Sequence, residues 1–338
     1  MRKFLLGFVL TTLITAGITL SIQKPINANA SAQSEIAMEL TTGEVLTEGN
    51  ADARLPMAST TKILTAIIII EDCDLDEVIA VPNEAVGVEG SSIYLKKQEQ
   101  ISVKDLVYGL MLRSGNDSAT ALALHHSGSI EKFAHVMNER AKNMGAENSN
   151  FKNPSGLPDN EHYTTARDLC KIACYAMNNP IFKEVVSTKN YKGEYRSFVS
   201  KNKMLHMYEG ANGVKTGYTL KAGRCLVSSA ERNGMDVVCV VLNCPDMYER
   251  SCNIFDYCFG NYKLLNLEED KVFMCDEVPA KLKKNESKVL KCKDNLEFRV
   301  KSIFTNSKIR KGDLVGELEI YSQNNLLFSG KLYSIIDV

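Results

Sequence analysis

Three short strings carry side chains that could together perform acyl transfer: Ser59-Thr60-Thr61-Lys62, Ser114-Gly115-Asn116 and Lys215-Thr216-Gly217. A serine hydroxyl is a weak nucleophile until a neighbour takes its proton. At a helix start, residues i and i+3 share a face, so Lys62 comes within hydrogen-bond reach of the Ser59 hydroxyl. A lysine can act as that base only if burial or a nearby cation lowers its pKa from a free value of ~10.4. The helix start also offers backbone N–H groups and a positive dipole end to a developing oxyanion. In the second string, the Ser114 hydroxyl can relay a proton to a leaving amine. The Asn116 amide can both donate to and accept from a peptide. In the third, Lys215 and Thr216 supply a charge and a hydroxyl for a substrate carboxylate. Gly217 in a strand permits close approach of another chain, and an edge strand here could take an extended substrate as one more strand.

None of these strings is specific alone. The Ser-x-x-Lys spacing recurs at Ser129/Lys132, Ser149/Lys152 and Ser200/Lys203. The Ser-x-Asn spacing recurs at Ser200/Asn202, Ser251/Asn253 and Ser322/Asn324. Most such triplets are caps and turns. Lys-Thr-Gly occurs once, and by itself it is more often a turn than a site. Order and context add the specificity. Ser-x-x-Lys opens an apolar helix, the Ser-x-Asn element lies in a helical region, and Lys-Thr-Gly follows on a strand after a long gap. Penicillin-binding proteins and class A β-lactamases share that order.

With their neighbours the strings read Ala58-Ser59-Thr60-Thr61-Lys62-Ile63-Leu64-Thr65, Leu112-Arg113-Ser114-Gly115-Asn116-Asp117-Ser118-Ala119 and Gly213-Val214-Lys215-Thr216-Gly217-Tyr218-Thr219. They closely resemble the low-molecular-mass D-alanyl-D-alanine carboxypeptidases, serine-type penicillin-binding proteins, with the sporulation-associated branch of Gram-positive bacteria nearest. Glu89-Gly90-Ser91-Ser92-Ile93-Tyr94-Leu95 and residues 153–157 look like the same family, and the similarity covers roughly residues 35–262. The resemblance implies that Ser59 attacks the carbonyl between two D-alanines of the peptidoglycan stem peptide, with Lys62 as general base. It implies that Ser114 passes the proton to the departing D-alanine and that Asn116 orients the substrate amide. Lys215 and Thr216 would hold the terminal carboxylate. The N–H groups of Ser59 and of Tyr218, beside Gly217, would form the oxyanion hole. β-Lactams would acylate Ser59, and no metal or organic cofactor would be needed. A further cation is expected near Lys215, at a position the sequence does not single out.

Other readings have their own requirements. A class A β-lactamase needs a loop glutamate to activate the deacylating water. No Glu-x-x-Leu-Asn lies between the second and third strings; Glu161 stands in the right stretch but its followers do not match. A DD-endopeptidase or transpeptidase would share every motif, because acceptor choice depends on pocket shape. A non-catalytic wall-binding or β-lactam-sensing protein would not need the full catalytic set. His162 reads as a residue beside a helix cap, and His125 and His126 as helix surface.

The elements that must position these residues follow from periodicity. Residues 35–48 read as a hairpin turning at Thr41-Thr42-Gly43. A helix apolar on all sides follows Ser59 and runs to about Ile70, which marks it as buried. Residues 103–125 and 130–144 carry helical periodicity. Thr165-Ala166-Arg167-Asp168 starts another helix like a capping box, after a loop at residues 153–158. From Gly213 to Asn243 the pattern is strands, with a hairpin turn at Asn233-Gly234, and residues 250–262 read as a closing helix. With the resemblance, this order implies an α/β (α+β) fold, a transpeptidase/β-lactamase-like domain over residues 31–263. Its antiparallel sheet would carry helices on both faces and a helical subdomain. Residues 264–338, rich in Lys, Glu and short alternating runs, read as a small all-β C-terminal domain.

Composition sets outer bounds. The chain has 338 residues, 44% hydrophobic and 24% charged, with net charge −1 and no basic stripe, which argues against a nucleic-acid partner. Residues 1–30 read as a secretory signal peptide: Arg2 and Lys3, an apolar run, then Ala28-Asn29-Ala30 for cleavage. Catalysis is thus expected outside the cytoplasm, in the cell envelope. Many relatives end in an amphipathic membrane helix. Here Leu332 to Ile336 is strand-like, so membrane contact is expected only if the signal stays uncut. Ten cysteines in an exported protein would suggest disulfides. Yet Cys239 and Cys244 sit in an apolar strand-like run and Cys170 and Cys174 share a helix face, so free, core-filling thiols are expected. No zinc site is expected, since no Cys-x-x-Cys pair occurs.

Overall fold

The computed structural model describes residues 32–303 and 308–338; the segment assigned to the signal peptide lies outside them. The chain begins with β1 (Ser34–Glu39) and β2 (Val45–Gly49), paired antiparallel across the expected turn. Glu39, buried at the end of β1, closes that turn by accepting from the Thr42 backbone N–H at 2.7 Å and its hydroxyl at 2.8 Å. Then come α1 (Lys62–Asp72), a two-stranded ribbon of β3 (Val78–Ala80) and β4 (Gln100–Ser102), α2 (Val103–Leu112), α3 (Asn116–Ser127) and α4 (Ile130–Asn143). After the loop, α5 (Ala166–Met177) and α6 (Pro180–Ser187) lead to a second ribbon, β5 (Asn190–Lys192) with β6 (Ser197–Val199), and to the single turn α7 (Met204–Met207). The central sheet is completed by β7 (Ala211–Thr219), β8 (Gly223–Arg232) and β9 (Met235–Leu242), and α8 (Met247–Asn261) closes the unit.

Strand order is β2-β1-β9-β8-β7, antiparallel throughout, so strands from both ends of this unit meet at the β1–β9 pair. Alternation decides which face each residue covers. Ile36, Met38, Val227, Val238 and Val240 join the core shared with α1 and α5. Ala37, Leu226, Val237, Cys239 and Val241 join the opposite core with Ile254, Phe255 and Cys258 of α8. Helices therefore lie on both faces, as expected.

Helix α1 carries four consecutive isoleucines, which locally favour a strand. Burial on every side overrides that preference: each residue from Lys62 to Ile70 is buried. Thr165 caps α5 as its motif implies, accepting from the Asp168 N–H at 3.0 Å. Helix α6 and the two ribbons did not register in the periodicity. The ribbon strands are three residues each, shorter than any pattern window.

Beyond α8 the described residues form strands joined by turns and loops. β10 (Tyr262–Leu267) pairs with β13 (Glu286–Lys291). A second five-stranded sheet follows the order β11 (Phe273–Cys275), β12 (Val278–Lys281), β16 (Asn325–Ser334), β15 (Leu314–Ser322) and β14 (Leu296–Ser302). It encloses its own core of Leu267, Val278, Val315, Leu318, Ile320 and Leu332. Val289 of β13 packs instead into the core beneath α8, which ties this region to the central sheet.

All ten cysteines are free; seven are buried, Cys73 and Cys252 are half-buried, and Cys292 is exposed. No helix among the described residues is long and apolar enough to cross a membrane.

Candidate active site

Ser59 stands in a 3-10 turn (Ala58–Thr61) that runs directly into α1. Ala58 holds a left-handed φ of 49°. Its carbonyl accepts from the Thr61 hydroxyl at 2.9 Å, and the Thr61 oxygen contacts His162 Nε2 at 2.9 Å. The other ring nitrogen, Nδ1, accepts from the Lys152 backbone N–H at 3.0 Å. A backbone N–H can only donate, so the neutral ring carries its proton on Nε2 and donates to Thr61. Burial lowers the His162 pKa to about 4, which keeps it neutral. The sequence placed His162 beside a cap; the fold makes it a support for the turn bearing Ser59.

Lys62 is the first residue of α1, and helical side chains point back toward the N-terminus. Its Nζ lies 2.9 Å from Ser59 Oγ, 2.7 Å from Asn116 Oδ1 and 2.6 Å from the Ser155 carbonyl oxygen. Asn116 cannot flip this contact, because its Nδ2 donates to the Glu89 carbonyl at 2.5 Å. The amide oxygen and the carbonyl are acceptors only, so a neutral Lys62 must spend both N–H bonds on them. Its lone pair then faces the one partner with a proton to give, Ser59 Oγ–H. Complete burial, then the Lys215 cation, hold the Lys62 amine well below the ordinary lysine value, while the Asp117 carboxylate pulls the other way.

Strand β7 is the sheet edge beside this turn, as the Lys-Thr-Gly reading anticipated. A Cβ on Gly217 would lie 3.1 Å from the Ser59 nitrogen, so the strand passes directly against the backbone of Ser59. Lys215 is 2% exposed and donates to the Thr216 carbonyl at 2.9 Å. Burial first, then the Lys201 cation, bring its pKa down to about 7. Thr216 is half-buried and Tyr218 is exposed. Lys201 follows the β5–β6 ribbon, whose Tyr191 ring stacks on Tyr108 of α2 at 3.6 Å. Its backbone N–H donates to the Leu112 carbonyl at 3.1 Å. Lys201 is thus a cation close enough to act on Lys215, at a position the sequence did not single out. Ser114 sits between α2 and α3 with a left-handed φ of 64°, and its hydroxyl makes no hydrogen bond among the described residues.

A groove of about 400 Å³ opens over Ser59. Glu89, Gly90, Ser91 and Asn116 line it on one side, Tyr218 to Lys221 on the other, and Ser155 to Pro158 also contribute. Glu161 lies outside its lining, in an exposed ion pair with Lys152 at 3.1 Å. The recurring spacings elsewhere are structural. Ser129 caps α4 and Ser200 accepts from the Asn202 N–H. Ser149 bonds the buried Asp168. Among the described residues, no group of His, Cys, Asp and Glu is arranged to hold a metal ion.

A serine hydroxyl facing a buried, lowered-pKa lysine, at the edge of an antiparallel sheet flanked by helices, defines a serine-type acyl-transfer hydrolase of the penicillin-binding class. The family model for D-alanyl-D-alanine carboxypeptidases, peptidase family S11, matches residues 20–246. The chain belongs to that family. It is 32% identical over 308 residues to the D-alanyl-D-alanine carboxypeptidase DacF of Bacillus subtilis, covering 85% of this chain and 76% of that one. Penicillin-binding protein 5 of Haemophilus influenzae superposes with a TM-score of 0.76 at 26% identity, over 91% of this chain and 97% of that one. The DD-transpeptidase of Streptomyces K15 superposes with a TM-score of 0.66 at 33% identity, over 70% of this chain and 99% of that one.

Proposed function

We propose that this D-alanyl-D-alanine carboxypeptidase removes the terminal D-alanine from peptidoglycan stem pentapeptides through an acyl-enzyme on Ser59. The observation that carries the assignment is the set of three contacts at Lys62 Nζ, which leaves a neutral amine only one direction for its lone pair. Lys62 takes the Ser59 proton as Oγ adds to the carbonyl between the two D-alanines. The oxyanion forms between the N–H groups of Ser59 and Tyr218. Lys215, with Lys201 behind it and Thr216 beside it, holds the terminal carboxylate. Asn116 orients the substrate amide, and Ser114, whose hydroxyl is uncommitted, returns the proton to the departing amine. Collapse of the intermediate releases D-alanine, and water then frees the acyl group. β-Lactams, which present a similar acyl bond and carboxylate, acylate the same serine. Residues 31–263 form the catalytic unit and residues 264–338 a β appendage; export to the cell envelope rests on the leader pattern of residues 1–30.

The test is D-alanine release from an N-acylated peptide ending in D-Ala-D-Ala. The chain should turn this substrate over and Ser59→Ala should release none. Stoichiometric binding of a labelled penicillin without peptide turnover would instead support a sensor.

A further inference from the structure

Asp117 follows Asn116 in the first turn of α3, is 1% exposed, and forms no ion pair among the described residues. Neutral donors satisfy it. Its oxygens accept from the backbone N–H of Ile93 at 3.1 and 3.0 Å, of Leu95 at 3.2 Å and of Ser118 at 2.9 Å, and from the Ser92 hydroxyl at 2.5 Å. Except for Ser118, these donors all belong to one segment, residues 89–95, whose Glu89, Gly90 and Ser91 line the groove over Ser59. Asn116 adds two bonds to the same segment: its N–H to the Ser91 carbonyl at 2.7 Å and its Nδ2 to the Glu89 carbonyl. The segment lies so close that a Cβ on Gly90 would sit 2.7 Å from Asn116 Nδ2. The first turn of α3 thus clamps one wall of the groove while also contacting the amine of Lys62.

We propose that Asp117 is a positioning residue whose carboxylate anchors the groove wall at residues 89–95. This rests on the reading of the groove over Ser59 as the substrate site.

The experiment compares the full chain with Asp117→Asn and Ser92→Ala, reading kcat and KM for D-alanine release from an N-acylated D-Ala-D-Ala peptide. Wild-type protein without release would refute the functional reading itself. Given an active wild type, Asp117→Asn replaces an acceptor oxygen with an NH2 donor that cannot hold the Ile93 and Leu95 N–H groups, so KM should rise several-fold with the larger change in KM rather than kcat. Ser92→Ala removes one bond of the same set, so KM should rise by less, again with kcat held. A fall in kcat at unchanged KM in Asp117→Asn overturns the anchoring role. An unchanged KM in Ser92→Ala also overturns it, and that result stands even if Asp117→Asn does not fold.

Discussion

Gly217 of β7 presses against the backbone nitrogen of Ser59, close enough that a Cβ there would lie 3.1 Å from that nitrogen and 3.0 Å from the Met57 carbonyl oxygen. Strand β7 and the turn bearing Ser59 thus pass almost backbone to backbone, with only the Ala58 Cβ beside them at 3.2 Å. The requirement for glycine in Lys-Thr-Gly is therefore steric, and it concerns the backbone of Ser59.

Gly217→Ala should accordingly displace the Ser59 N–H from the oxyanion site without unfolding the chain. Losing one oxyanion donor typically costs about two to three decades of rate. The expected result is a fall in kcat of that order, with an unchanged circular-dichroism spectrum. A kcat within twofold of wild type would show that the Ser59 N–H does not stabilise the oxyanion.

The Lys215 pKa of about 7 predicts a basic limb. As pH rises through that value, Lys215 loses the charge proposed to attract the substrate carboxylate. The kcat/KM profile should then decline above about pH 7. In Lys215→Arg the guanidinium stays protonated throughout, so the decline should disappear even if the plateau is lower. A decline that persists unchanged in the arginine variant would assign the limb to another group.

His162 should contribute to acid sensitivity. Burial lowers its pKa to about 4, whereas an unfolded histidine titrates near 6.5. Between those values the unfolded chain binds a proton that the folded chain does not, so stability falls as pH drops through this window. At about 1.4 kcal/mol per pH unit, this single group accounts for about 3 kcal/mol. Urea midpoints at pH 7 and pH 4 should separate more in the wild type than in His162→Asn. Equal separations would mean that His162 does not titrate this way.

The cysteines make an independent prediction. Burial raises the pKa of Cys225 to about 11 and of Cys258 to about 12, and also raises those of Cys170 and Cys239. Thiolate chemistry is suppressed there. Without prior reduction, a thiol reagent should label Cys292 fastest in the native protein, Cys73 and Cys252 more slowly, and all ten after denaturation. Fewer than ten in the denatured sample would reveal bridges.

Much of the site's chemistry was legible in the sequence because it is local. The i, i+3 spacing of Ser59 and Lys62 is a property of helical turns, and the hairpin at Asn233-Gly234 follows from residues that tolerate positive φ, here 53° and 75°. The expected antiparallel sheet with helices on both faces is the one the structure contains. Sequence reading was weakest where elements are short or partners distant. Thr61 and His162 are 101 positions apart, and nothing in the sequence around His162 marks it as a support for Ser59.

By itself, then, the sequence set the order of the three motifs and showed a sheet whose strands come from both ends of the catalytic unit, which the structure completes as five strands with Lys215 on the edge strand. Tertiary structure decided which of four equivalent Ser-x-x-Lys spacings sets its serine against a fully buried lysine. Ser59 alone is placed so that the Asn116 amide, 54 residues from Lys62, and the Ser155 carbonyl, 93 residues from it, consume the lysine's N–H bonds. Tertiary structure also brought Lys201 beside Lys215 and turned Asp117 toward the groove wall. The physical reason is that hydrogen-bond direction and desolvation depend on every neighbour a folded chain assembles, whereas spacing along the chain reports only the turn in which a residue sits.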